Sequence, residues 1–442
     1  MQNQQIIVNK MLRGGGMIVP LAQAVAGTCG GKAGALGALL RAGLPVPDGF
    51  VVPFAAYRAA ARDPAGSGDL TAELAGELAE ALAEALAGLG DPVVAVRSSA
   101  SGEDTGQASA AGQHESFLAV HGAGEVAAAV RSCWASLFSE RAVHYRGTAG
   151  GDDLAMAVIV QRHLDAEVSG VMFTGNPTRI EASWGLGPSV VGGTVTPDAY
   201  VVTAGGSVTR TVASKRTRLD RHGTRLVTSE VPAPARDLPA LDDATAIRLA
   251  GLGERIAAAC GGPQDIEWAI TGDRIWILQA RPITAALPPP PGETHAPTAL
   301  PPHGETPPPA TLSPTDAEHP PATLPPSGAE HPPAAFTGAP GSRGTATGTA
   351  RIVRGPADFA RVRPGDILVC PFTDPAWTPL LRVAAGVVTE TGGVLSHAAI
   401  VARECAIPAV LGVPDATTVL RDGALITVDG TTGTVTTGTV TT

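Results

Sequence analysis

The sequence predicts a mixed chain of α+β and α/β class, with two globular parts separated by a long proline-rich tether. Three observations predict it. The chain has 442 residues, too many for one ordinary core, and a length prior suggests about two to four domains. Residues 285–339 switch abruptly to Pro, Thr, His and Glu. On both sides of that stretch, short apolar runs alternate with helical periodicity.

Composition bounds the function classes. Hydrophobic residues make up 44 % and aromatics only 4 %, so the interior is packed mainly with small side chains. A formal net charge of -10 argues against nucleic acid as a main partner and favours solubility. Cys29, Cys133, Cys260, Cys370 and Cys405 are scattered, odd in number and never spaced C-x-x-C. They imply neither a disulfide framework nor a zinc site, and suit a reducing compartment. No run approaches the roughly 18 apolar residues of a membrane helix. Residues 1–16 lack an apolar signal core. They are expected to be a disordered leader, with Met11 and Met17 as other starts. The expected location is cytoplasmic, with no membrane partner.

Before the tether, Leu70, Leu74, Leu78, Leu82 and Leu86 recur every four residues, and Glu73, Glu77, Glu80 and Glu84 lie off that stripe. This predicts a helix over 69–89, closed by Gly88 and Gly90. Val93–Val96 and Ala157–Val160 read as buried strands. Arg274–Gln279 reads as another, entered through the turn Thr271-Gly272-Asp273. The tether contains the near-repeat Ala317-Glu318-His319-Pro320-Pro321-Ala322 and Ala329-Glu330-His331-Pro332-Pro333-Ala334. Such composition buries little apolar surface and favours extended polyproline II. At about 3.1 Å per residue it reaches on the order of 150 Å. After it, Val369, Val387-Val388, Ala409-Val410 and Leu425–Val428 read as strands, 396–404 as a short helix, and 431–442 as a fraying tail.

The strongest motif is Gly392-Gly393-Val394-Leu395-Ser396-His397-Ala398-Ala399-Ile400-Val401-Ala402-Arg403-Glu404. The glycines allow a tight turn, Ser396 can cap the following helix, and His397 falls in its first turn. Free N–H groups and the positive dipole end favour an anion beside the imidazole and keep the ring neutral and nucleophilic. That suits a histidine that becomes phosphorylated. With Asp374–Leu380, Pro408-Ala409-Val410 and Val428-Asp429-Gly430, the string resembles the swivelling phosphohistidine domain of the phosphoenolpyruvate synthase, pyruvate phosphate dikinase and rifampin phosphotransferase group.

Several earlier stretches resemble the ATP-grasp nucleotide-binding domain of the same group. Gly30-Gly31-Lys32-Ala33-Gly34 opens a helix, and a lysine beside a glycine turn suits a phosphate. It is not a Walker A loop, because Ala33 follows the lysine. Val94-Ala95-Val96-Arg97-Ser98-Ser99-Ala100 carries an arginine out of a buried strand, where it needs an anion. Ser109–Phe117 follows, and Val160-Gln161 and Ser169–Pro177 also match. Gln264-Asp265-Ile266-Glu267-Trp268-Ala269-Ile270 precedes Leu278-Gln279-Ala280-Arg281-Pro282. Alternation puts Asp265 and Glu267 on one face and Gln279 and Arg281 on another, offering oxygens for a hard cation and a guanidinium for phosphate.

The resemblance implies an ATP-grasp domain at 17–284, a Pro-rich linker at 285–339, a small β/β/α swivelling domain at 340–434 and a frayed tail at 435–442. It implies that Lys32, Arg97, Gly112, Ser116, Gln161 and Arg281 contact ATP, that Glu267 and Gln279 hold Mg²⁺, and that His397 carries the phosphoryl or pyrophosphoryl group. Pro188 stands where family members often have Glu after Gly185-Leu186-Gly187, and Leu395 where regulated plant dikinases have Thr. The pyruvate-binding barrel and the drug-binding domain of the relatives have no counterpart in the sequence. The acceptor site named by either relative is therefore expected to be missing; the acceptor itself is expected to be a small hydroxyl compound or a pyruvate-like molecule. In a second reading, the chain is the ATP-using phosphocarrier subunit of a split enzyme, and a separate subunit supplies the acceptor site. A third reading, a degenerate relative that binds nucleotide for regulation, is opposed by the intact set of residues.

Overall fold

A computed structural model of the chain describes residues 16–61, 72–101, 116–137, 154–283 and 334–438. The leader up to residue 15, the tether from 284 to 333 and Gly112 lie outside these residues.

The first sheet takes β1 (Val19–Pro20), β2 (Gly49–Val52), β3 (Val94–Ala100), β4 (Ser116–Val120) and β5 (Met156–Arg162), in the order β1-β2-β5-β3-β4. The expected apolar run at 157–160 is β5, which is central and almost wholly buried, as a strand covered on both faces must be. The helix Ala72–Gly88 packs on this part through Leu78, Leu82 and Leu86, which are buried, while Glu77, Glu80 and Glu84 face water. Leu70 and the Leu74 side chain lie outside the described set. The helix Ala26–Arg41 is broken at Gly30, where φ is 81°. A Cβ at Gly30 would collide with Ser99, so only glycine lets the helix restart against the end of β3.

Next come β6 (Val168–Phe173), β7 (Thr178–Trp184), β8 (Asp198–Val202) and β9 (Val208–Thr211). The hairpin β10 (Thr217–His222) and β11 (Arg225–Glu230) follows, then β12 (Gln264–Thr271) and β13 (Arg274–Pro282). Six of these form a second sheet in the order β13-β12-β6-β7-β8-β9. The helix Asp243–Cys260 starts on an Asp242 cap, whose carboxylate accepts the Thr245 N–H, and stops at Gly261 in the left-handed region. Under this sheet Lys215 and Asp198 form a fully buried ion pair at 2.6 Å. Asp198 also accepts the N–H groups of Ala213 and Ala240, so its oxygens are satisfied.

The remaining strands are β14 (Ala335–Thr337), β15 (Ala339–Ser342), β16 (Thr345–Ile352), β17 (Ile367–Cys370), β18 (Gly386–Thr389), β19 (Ala409–Leu411), β20 (Leu425–Asp429) and β21 (Thr434–Thr437). They form one mixed sheet, β14-β21-β20-β16-β17-β18-β19-β15, with β16, β17, β18 and β19 paired in parallel. The helix His397–Glu404 covers it. Two expected boundaries are corrected. The linker expected to reach 339 is already strand at Ala335–Thr337, because Phe336 packs on the C-terminal core. The tail expected to fray from 435 is β21 through Thr437, because Val435 is fully buried and the strand pairs with β20 and β14.

The two parts touch. Val171, Phe173, Val190 and Val195 from one side cluster with Leu395 and Ile400 from the other. Gly392 donates its N–H to Val195 O at 3.1 Å, and Thr391 Oγ1 donates to Gly193 O at 2.6 Å. Among the described residues no helix is long and apolar enough to cross a membrane.

Replacing Asp198 by Ala strands a buried ammonium and two backbone donors. We expect Asp198→Ala to lose about 3–5 kcal/mol of stability, read as a lowered midpoint in chemical denaturation. An unchanged midpoint contradicts the buried pair.

Candidate functional site

The register of the second sheet builds the site. Asp265 lies directly opposite Arg281, and Glu267 opposite Gln279. Directly opposed residues point to one face, so all four side chains share a face rather than dividing between two. Beyond Glu267 the same row continues through Val171 to Glu181, and beyond Asp265 through Phe173 to Arg179. The pairing shifts between Glu267 and Trp268, where Leu278 is the extra residue of a bulge. The Leu278 carbonyl thereby turns to accept Arg97 Nη1 at 3.4 Å, and Glu267 Oε2 accepts the same nitrogen at 3.5 Å. Arg97 thus ties the first sheet to the second.

Arg97, Ser116, Gln161, Glu267 and Gln279 line one cleft of about 460 Å³. Ser116 is directly opposite Arg97 on β4. Gln161 is 1 % exposed and its amide donates to Pro47 O at 3.0 Å. Leu164, Leu186 and Leu226 supply apolar wall. Pro188, which begins a short helical turn, also lines the cleft, as do Gly192 and, from the C-terminal part, Pro375.

Three expected residues lie outside the lining. Lys32 stands at the restart of its helix, beside Ala33, whose N–H donates to Ser99 Oγ at 3.3 Å. Arg281 is held by Asp265, with Nη2 at 2.8 Å and Nε at 2.9 Å. His397 is 4 % exposed. Its Nδ1 lies 3.0 Å from Thr373 Oγ1 and its Nε2 3.5 Å from Thr378 Oγ1. Thr373 and Thr378 flank Pro375, so the histidine sits just behind the cleft wall. Ser396 occupies the cap position, but its hydroxyl donates to Gly393 O at 2.8 Å instead of capping the helix. The short Gly393–Ser396 turn brings that carbonyl closer than any helix N–H.

The donor set fits a nucleotide and a hard cation. Arg97 Nε is buried and without a partner, as befits a guanidinium prepared for an anion. Glu267 and Gln279 offer two oxygens side by side. That suits Mg²⁺, which takes few protein ligands and completes its shell with water and phosphate.

Two features carried no signal in the sequence. Glu181 is 2 % exposed and lies against the histidine loop, where its carboxylate accepts the Leu395 N–H at 3.2 Å. Burial pushes this carboxyl up to about 7, although N–H donors from Leu395 and Val394 and the charges of Arg403 and Arg179 oppose the shift. His163 lines the cleft with a side chain 3 % exposed, and burial pulls its imidazole down to about 4.

The second feature gives a pH signature. The unfolded chain binds a proton at His163 that the folded chain refuses. Its contribution to stability is therefore present above about pH 6.5 and lost as pH falls towards 4. We expect a loss of about 3 kcal/mol over that window, and a His163→Gln chain to lack that part of it. Parallel acid profiles for the two chains contradict a neutral buried imidazole.

Both parts of the chain are similar to known proteins. A model of the pyruvate phosphate dikinase AMP/ATP-binding domain matches residues 66–295, and one of the PEP-utilising enzyme mobile domain matches 362–433. The probable phosphoenolpyruvate synthase of Methanothermobacter thermautotrophicus is 35 % identical over 457 residues, covering 94 % of this chain and 62 % of that protein. That of Archaeoglobus fulgidus is 35 % identical over 446 residues, covering 91 % and 55 %. The phosphoenolpyruvate synthase of Escherichia coli is 35 % identical over 359 residues, covering 76 % and 41 %. The chain thus spans between about two fifths and three fifths of the length of these relatives.

Proposed function

We infer the activity from one premise: the chain belongs to the family of pyruvate phosphate dikinase and phosphoenolpyruvate synthase, whose ATP-binding and mobile domains match its two parts. We propose that residues 17–284 form an ATP-grasp nucleotide-binding domain and that the part after the tether, from Ala335 to Thr437, forms a swivelling phosphohistidine domain. Together they act as an ATP-dependent phosphotransferase with a (pyro)phosphohistidine intermediate at His397.

The single observation that carries this reading is the convergence of Arg97, Glu267 and Gln279 in a cleft whose wall, at Pro375, belongs to the loop that holds His397. The base of ATP lies towards Gln161 and His163, among the apolar lining. Arg97 leaves Glu267 to meet the phosphates, helped by Lys32 and Arg281, with Gly112 and Ser116 covering them. Glu267 and Gln279 would hold Mg²⁺, which supplies charge neutralisation between phosphates when bound. Thr373 holds His397 through Nδ1. The Nδ1-H tautomer leaves the Nε2 lone pair to attack the β-phosphorus in line. An N–P bond forms, the α–β bridge breaks, and its electron pair leaves on AMP. The ring is nearly enclosed, so the His397 loop must shift past Pro375 for attack. Hydrolysis of the γ-phosphoryl then leaves phosphohistidine, which donates to a small-molecule acceptor. The names of the relatives point to pyruvate, and a small hydroxyl compound is the other acceptor of fitting chemistry. An acceptor screen read by AMP release distinguishes them.

The chain incubated with ATP labelled at the β-position, magnesium and no acceptor is expected to retain acid-labile, base-stable label. His397→Ala is expected to retain none, and Arg97→Met to bind ATP roughly tenfold or more weakly. A parent chain without label, or a labelled His397→Ala chain, sinks the reading.

A further inference from the structure

The contact between the two parts centres on a group that the phosphoryl chemistry above does not use. Glu181, on β7, is paired with Val171 and accepts the Leu395 N–H, two residues of the cluster that joins Val171, Phe173, Val190 and Val195 to Leu395 and Ile400. Its carboxyl lies so close to Gly393 that a Cβ there would collide with all three carboxyl atoms. It accepts the N–H groups of Leu395 and Val394, the two residues before the Ser396-His397 step. Those amides belong to the turn that leads into the helix His397–Glu404, where free donors form a seat for a carboxyl oxygen.

A second observation makes the seat more than a helix end. Arg403, on that same helix, is nine-tenths buried. Its Nη1 donates to Val394 O at 2.8 Å and Gly341 O at 2.7 Å, while Nε and Nη2 have no partner. The guanidinium therefore backs the seat from inside the C-terminal part, and the carboxyl enters it from the other part.

We propose that Glu181 is the latch of the two-part contact: by filling the seat made by Val394, Leu395 and Arg403 it positions the His397 loop at the ATP cleft. This deepens the phosphotransfer reading and rests on it for its purpose, though not for its geometry. Register places Glu181 two strands from Glu267, on the order of 10 Å, so the latched loop faces the metal and phosphate end of the cleft. When the parts separate, Glu181 meets water and the seat opens.

The proton link follows from burial. The charged groups facing Glu181 are Arg403 from the opposing helix and Arg179 on its own strand; Arg403 in turn feels Asp265, which is paired with Arg281. Against the charges of Arg403 and Arg179, burial holds the carboxyl up to about 7. An exposed glutamate titrates near 4.3. The docked state thus binds the proton more tightly. Its advantage is full below the free value and is lost as pH rises through about 7.

The test uses the full chain and three variants. Glu181→Ala removes the latch, Gly393→Ala pushes it out from the other side, and Glu181→Gln mimics the protonated latch. Docking is read without ATP, by hydrogen exchange of the amides of 391–400, and function by the rate of acid-labile labelling from ATP. For Glu181→Ala and Gly393→Ala we expect lost protection and roughly ten- to hundredfold slower labelling, with ATP affinity within about twofold of the parent. Glu181→Gln is expected to keep protection from pH 6 to 8, while the parent loses it over that window. Retained protection in both alanine variants overturns the latch. A Glu181→Gln chain that undocks like Glu181→Ala overturns the proton. If Glu181→Ala fails to fold, Gly393→Ala decides alone. Protection that changes as expected while no variant, nor the parent, takes label supports the latch and sinks the phosphotransfer reading.

Discussion

The antiparallel pairing of β12 with β13 sets Glu267 against Gln279 and Asp265 against Arg281, and most of the site is placed by that register. A slip by one residue would turn these side chains to the opposite face. The bulge at Leu278 prevents the slip and aims a carbonyl at Arg97. One irregularity thus keeps Glu267 beside Gln279, anchors the Arg97 guanidinium and joins two sheets. The salt bridge between Arg97 and Glu267 at 3.5 Å is long and partly exposed. It contributes little stability, which lets either group turn to a ligand.

The same sheet face also receives the C-terminal part. Apolar residues close the contact, and a carboxyl and a guanidinium face each other inside it without direct pairing. Burying charge imperfectly is costly. Leu395 and Ile400 pack against Val171 and Phe173, and burying Glu181 and Arg403 offsets part of that gain.

Much of this was legible in the sequence. The leucine stripe gave the helix Ala72–Gly88, apolar runs gave β5 and β18, and the turn Thr271-Gly272-Asp273 gave the β12–β13 hairpin. The glycine pair before Ser396-His397 marked the histidine helix. Long-range contacts were less legible, because they depend on register and docking. The ion pair of Arg281 with Asp265, the bond from Thr373 to His397 and the burial of Glu181 join residues 16, 24 and 214 positions apart. Nothing local to those residues announces them. The end strands β14 and β21 were missed for the same reason: at three and four residues they are too short for alternation to show, and pairing of β14 with β21 and of β21 with β20 supplies the order.

The central claim is that His397 takes its group from the β-phosphorus of an ATP bound beside Arg97 and Glu267. Single-turnover analysis of the nucleotide product, with the chain in excess over unlabelled ATP, tests it most directly. The account predicts one AMP released for each His397 modified. ADP released in step with modification, which would mean attack at the γ-phosphorus, contradicts it.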